Sequence, residues 1–169
     1  MTAPLLGPEP LAAHHDTSAF DCGLPALNVF LARFALVSQS SGAARTCVAL
    51  RGARVAGYYS LAAASVEPER VTPRVAKGLA RHAVPLTLLA RLAVDRTEQR
   101  VGLGEALLKD AIKRHLQAQS IIGSRALLAH AKDERAAAFY ARHGFQSSPS
   151  DPLHLYLLTK DMKKTLGLR

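Results

Sequence analysis

A chain of 169 residues, 49% hydrophobic and 21% charged, has an ordinary globular composition and enough length to bury a core, with no apolar run of the roughly eighteen residues that span a bilayer. Its 22 Lys and Arg against 13 Asp and Glu give a formal charge of +9, which attracts polyanions without separating a nucleic acid from a phosphorylated cofactor or an acidic protein. Two cysteines, Cys22 and Cys47, exclude a disulfide framework and lack metal-ligand spacing, and the N-terminus lacks a signal-peptide layout, so reduced thiols in the cytoplasm are expected.

From Pro25 onward, Leu27, Phe30, Leu31 and Phe34 follow the i, i+3, i+4, i+7 spacing of one helix face, with proline tolerated in the first turn. The runs RTCVAL (45–50) and RVAGYYSLAA (54–63) read as strands joined by a turn at Gly52. The stretch 71–85 has room for a short helix between its prolines. LTLLARLAVD (86–95) is too apolar to alternate, and reads as a strand buried on both faces.

A helix follows the glycines of QRVGLGEALL (99–108). Leu103, Leu107 and Ala111 make one apolar row and Leu108, Ile112 and Leu116 a second, with Lys109, Asp110, Lys113 and Arg114 on the opposite side. RALLAHA (125–131) is a buried strand, 133–145 a helix ended by Gly144, and 153–160 a closing strand. The order α-β-β-α-β-α-β-α-β predicts an α/β fold with a mixed central sheet flanked by helices, in a single domain over 1–169. No internal repeat or long linker interrupts it.

Two glycines at a strand-to-helix junction let backbone N–H groups approach a phosphate, although a plain turn needs glycine as well. The stretch is no P-loop, because no Gly-Lys-Ser/Thr follows. It is a poor dinucleotide fingerprint, because Leu107 stands at the third glycine position.

Gln99-Arg100-Val101-Gly102-Leu103-Gly104 fits the pattern Q/R-x-x-G-x-G/A, with RLAVD before it, a helix after it and FYARHGF downstream. In these features the chain resembles the GNAT superfamily of acetyl-coenzyme A-dependent N-acetyltransferases. FDCGLPALNVFLARFA (20–35), GYYSLA (57–62) and AKGLARHAVP (76–85) resemble one branch of it, the toxins of toxin–antitoxin pairs that acetylate the amino acid on charged tRNA. The resemblance runs over about 16–166.

It implies acetyl-coenzyme A as co-substrate, no metal, an aminoacyl-tRNA acceptor, a ribbon-helix-helix antitoxin, a homodimer and no membrane. Residue by residue, it implies that Gln99, Arg100, Val101, Gly102, Leu103, Gly104, Glu105 and Ala106 cradle the pyrophosphate. Leu92, Ala93 and Val94 then line the strand that binds the acetyl and pantetheine groups, a backbone N–H polarising the thioester carbonyl. Tyr140 takes the place of the acid that protonates the departing thiolate, against the alternative of a core tyrosine packed on Phe139. Asp133 stands where relatives often carry a pantetheine-contacting asparagine, a departure that puts that contact in question. Arg33, Lys77, Arg81 and Arg91 lie in branch-like stretches and are the candidate phosphate contacts for tRNA, with scattered surface charge as the alternative.

No residue declares itself a general base. His82 and His130 are candidates beside the alternative of structural histidines. An α-amine, with a pKa near 8, is substantially neutral at cellular pH and attacks without a strong base, whereas a lysine amine near 10.4 needs one. The sequence therefore leans toward an α-amine acceptor. N-acetylation of protein N-termini or small amines is the nearest competing activity, and non-catalytic binding of coenzyme A or RNA the competitor from another class.

Overall fold

Strand-forming sequence accounts for a mixed seven-stranded sheet in the computed structural model, which describes residues 3–79 and 81–168. The strands are β1 (Leu5–Pro10), β2 (Arg45–Arg51), β3 (Arg54–Val66), β4 (Val84–Val94), β5 (Ala126–His130), β6 (Gln146–Ser147) and β7 (His154–Leu158). Their order across the sheet is β1-β2-β3-β4-β5-β7-β6. All recorded pairings are antiparallel except β4 with β5, where a parallel pair requires a long crossover, here supplied by a helix. The helices are α1 (Pro25–Val29), α2 (Ala35–Ser40), α3 (Pro73–Ala76), α4 (Leu103–Gln119), α5 (Glu134–Arg142) and α6 (Thr159–Thr165).

The chain divides into two compact units, Met1–Ala62 with Ala90–Ala111, and Ala63–Leu89 with Ile112–Arg169. In the first, Tyr58 is the centre of the core: Phe20 meets its ring edge-on at 5.5 Å, Phe30 stacks at 6.3 Å, and its hydroxyl donates to Leu27 O at 2.8 Å. In the second, Val71, Val75, Val84, Leu86, Leu128 and Tyr156 pack together.

Three local expectations are corrected. The helix from Pro25 passes through a π turn at Phe30–Phe34, where the Ala35 N–H bonds back to Phe30 O, five residues away. That extra residue rotates the face. Phe30 and Leu31 are buried as expected, but Phe34 is 52% exposed and Ala35 takes its inward place. β4 is not buried on both faces: Val84, Leu86, Leu89 and Ala93 are buried while most of its other residues are half-exposed. The final run 153–160 leaves the sheet at Leu158, and Thr159 begins α6.

The sequence reading also missed β1, whose Gly7 and Pro8 argue against a strand. Proline is tolerated because β1 is an edge strand, and its pairing with β2 shifts register between Leu6 and Glu9. On α4, Leu107, Leu108, Ala111 and Ile112 are fully buried as expected. Asp110 does not stay on the solvent side; it accepts the Tyr59 hydroxyl.

Candidate active site

The loop between β4 and α4 is built from the strand outward. At the end of β4, the buried Asp95 carboxylate accepts from the main-chain N–H groups of Asp21 and Thr97, at 3.0 Å each. Burial pushes its pKa up, but those hydrogen bonds and Arg54 together hold it below the usual carboxylate value. Next comes Glu98, also buried, gripped by Arg51 through two bonds of 2.8 Å and by Arg54 at 3.0 Å. Its carboxyl is likewise held low, first by the Arg51 hydrogen bonds. The strand therefore delivers the chain into the loop at a fixed point.

Gln99 fixes it further, but inward. Its side-chain amide donates to Val94 O at 3.0 Å and to Cys22 O at 3.4 Å, so this side chain ties the loop to its own scaffold. Arg100 then adopts a left-handed conformation, φ 67°, uncommon for a residue with a side chain, and Gly102 follows at φ 87°. Alternating conformations of this kind turn successive N–H groups toward one concavity, a favourable anion site. Nothing lies within 4 Å of where a Gly102 Cβ would sit, so no protein atom crowds its side-chain position.

The first intrahelical bond of α4 runs from Ala106 N–H to Gly102 O at 3.1 Å, which leaves the N–H groups of Leu103, Gly104 and Glu105 without helical acceptors. Those donors and the positive end of a 17-residue helix suit a diphosphate. Val101 is 67% exposed, and the Glu105 carboxylate is drawn to Lys109 at 3.1 Å. These residues fit the pyrophosphate of acetyl-coenzyme A. The pairing of β4 with β5 ends at Leu89↔Ala129, so Leu92, Ala93 and Val94 lie beyond that paired stretch.

Tyr140 belongs to the other unit. Asp133 caps α5 by accepting from Ala136 N–H at 2.8 Å, so its carboxylate already has a structural role. Late in α5, Tyr140 is 7% exposed, with the Phe139 and Phe145 rings each 5.3 Å away. Burial pushes its pKa up to about 12. No described group bonds its hydroxyl, yet the one sealed side-chain polar atom lacking a partner among the described residues is His115 Nε2. The Tyr140 ring is thus core, while its O–H has no hydrogen-bond partner among the described residues.

His82 is exposed. His130, at the end of β5, stacks on His154 at 4.1 Å, and His154 Nε2 lies 3.4 Å from Asp151. Of the four candidate tRNA contacts, Arg33 and Arg91 fall in the first unit and Lys77 and Arg81 in the second. Arg91 lies 3.5 Å over the Phe30 ring, while Arg33, Lys77 and Arg81 are exposed. Sequence reasoning missed the Arg51–Glu98–Arg54 cluster and the buried His115. An acidic residue just before the glycine motif was the only hint of the first. The helical phase of His115, between Ile112 and Leu116 on the apolar side of α4, was the hint of the second.

A family model described as an acetyltransferase (GNAT) domain matches residues 42–147. A tRNA-acetylating toxin of Mycobacterium tuberculosis is 44% identical over 160 residues, 95% of this chain and 96% of the relative. Among solved structures, a tyrosine-to-phenylalanine variant of KacT superposes with a TM-score of 0.87 at 27% identity, covering 97% of this chain and 99% of that one. AtaT complexed with acetyl-methionyl-tRNAfMet superposes at 0.86 and 27% identity, covering 95% and 97%. A tyrosine-to-phenylalanine AtaT toxin bound to the C-terminus of the antitoxin AtaR and to acetyl-CoA gives 0.79 at 27% identity, covering 97% of both chains.

Proposed function

The chain belongs to the GNAT acetyltransferase family, and on that premise we propose that it moves an acetyl group from acetyl-coenzyme A to the α-amine of aminoacyl-tRNA, blocking translation as the toxin of a toxin–antitoxin pair. The observation that carries this reading is the 44% identity to a tRNA-acetylating toxin along nearly the full length of both chains. The structural likeness to AtaT holding an acetylated aminoacyl-tRNA supports the same acceptor.

The roles follow from the chemistry of the residues. Acetyl-coenzyme A supplies an acyl group activated as a thioester. The N–H groups from Val101 to Glu105 hold its pyrophosphate, and backbone groups at Leu92, Ala93 and Val94 bind the pantetheine and polarise the carbonyl. The neutral α-amine forms the new C–N bond and gives up one proton to water, while the C–S bond breaks. Tyr140 donates its proton to the departing sulfur and regains one from solvent. A phenol held near 12 is fully protonated at neutral pH, as a donor must be.

Arg33, Lys77, Arg81 and Arg91 contact tRNA phosphates, giving affinity without base readout. The partner that restrains the toxin is an antitoxin with a ribbon-helix-helix domain. We further assign a homodimer, a single acetyltransferase domain over the whole chain, and a cytoplasmic location, where charged tRNA is found. No helix among the described residues is long and apolar enough to cross a membrane.

The test is incubation with labelled acetyl-coenzyme A and, separately, charged tRNA, deacylated tRNA and cellular proteins. Label should enter charged tRNA alone, with transfer at limiting tRNA falling steeply as salt rises, because several phosphates release counterions on binding. Label in protein N-termini and never in charged tRNA would defeat the assignment.

A further inference from the structure

Arg125 stands immediately before β5 and is half-buried. Its guanidinium gathers three main-chain carbonyls at the C-terminal end of α3: Nε donates to Val75 O at 3.0 Å, and Nη2 to Arg74 O at 3.4 Å and Lys77 O at 3.3 Å. Its main-chain N–H donates to Pro85 O at 2.8 Å. One residue therefore holds the chain at Lys77 and again at Pro85. A rigid planar donor fork suits this, because the last carbonyls of a helix have no internal partners and arginine can satisfy several at once.

What the segment carries makes the grip informative. Lys77, Leu79, Arg81 and His82 are exposed. No Asp or Glu occurs between 77 and 85, and neither Lys77 nor Arg81 has an ion pair among the described residues. Unpaired cations on a chain whose ends are already fixed lose less conformational freedom on meeting a polyanion than the same cations on a free loop. We propose that Arg125 is the positioning residue of a phosphate-contacting strap, presenting Lys77 and Arg81 to the backbone of the aminoacyl-tRNA. This rests on the acceptor assigned above. Arg125 itself does not touch the tRNA; it acts through the carbonyls it holds.

Steady-state kinetics with each substrate varied tests it. Arg125→Gln should raise KM for aminoacyl-tRNA about fivefold or more, while kcat and KM for acetyl-coenzyme A stay within about twofold. Arg125→Lys should fall between, since an ammonium reaches fewer of the three carbonyls. In a Lys77→Gln, Arg81→Gln background, adding Arg125→Gln should change KM by less than about twofold, because the cations it positions are gone. Unchanged KM for aminoacyl-tRNA in a folded Arg125→Gln protein overturns the proposal. So does a parallel loss of kcat and both KM values, or an undiminished effect in the neutralised background. If Arg125→Gln does not fold, Arg125→Lys carries the same comparison in both backgrounds. Transfer by the unmutated protein, measured alongside, tests the acceptor separately: its absence defeats that assignment, whereas normal transfer with an insensitive Arg125 defeats only the strap.

Discussion

Tyr140 combines two properties that usually exclude each other. Its ring is packed between Phe139 and Phe145 as any core aromatic would be, and its hydroxyl has no hydrogen-bond partner among the described residues. Leaving a polar group unpaired is unfavourable unless water or a ligand completes it, and the Tyr140 hydroxyl is not sealed away from either. Replacing Tyr140 by Phe removes only that oxygen. Melting temperature and acetyl-coenzyme A affinity should hold, while kcat falls about 100-fold or more. Single-turnover transfer is the direct measurement, and an unchanged rate would remove Tyr140 from the chemistry.

At the scale of an element, the strand–loop–helix from β4 into α4 is specified twice. Local sequence supplies the glycines and the apolar helix face; the Asp95 and Glu98 contacts then fix where the loop begins. Gly102 needs its positive φ, so any side chain there is strained, and a carboxylate would add repulsion at the proposed pyrophosphate site. Gly102→Glu should weaken acetyl-coenzyme A binding by about tenfold or more, through lost approach and like charge together. Titration calorimetry reads this directly. Equal affinity in a folded variant would reduce the loop to a turn.

For the whole molecule, acid stability depends on a residue with no part in the chemistry. His115 is fully buried, with Nδ1 on Thr87 Oγ1 at 2.9 Å and Nε2 without a partner among the described residues. Burial holds its pKa down from 6.5 to about 4. The unfolded chain therefore takes up a proton below 6.5 that the folded chain refuses until about 4. The stabilisation is complete above 6.5 and is lost as pH falls through that window, a swing of roughly 3 kcal/mol. His115→Leu keeps the site apolar and removes the titration. Between about pH 7 and about pH 4.5 its unfolding free energy should fall by about 2 kcal/mol less than that of the unmutated chain. Urea titrations at the two pH values measure the difference, and parallel losses would exclude His115. The carboxylates Asp95 and Glu98, held low by their partners, weaken both proteins alike at the acid end.

The sequence by itself determined what is local and periodic. The apolar rows of α4, the strands around Gly52, the glycine motif and the helix ending at Gly144 are each set by residues within a few positions, and the structure has them where the spacing puts them. Tertiary structure alone decided what depends on partners distant in the chain. Phe34 faces outward because a π turn inserts a residue that no hydrophobic count reveals, and Leu5–Pro10 is a strand only because β2 offers an edge where proline loses nothing. Gln99 turns its side chain to Cys22, 77 positions away, and Arg125 closes on carbonyls about fifty positions back. Hydrogen-bond geometry requires that the groups first be brought together. Residue type and spacing say which contacts are possible, and only the folded chain selects among them.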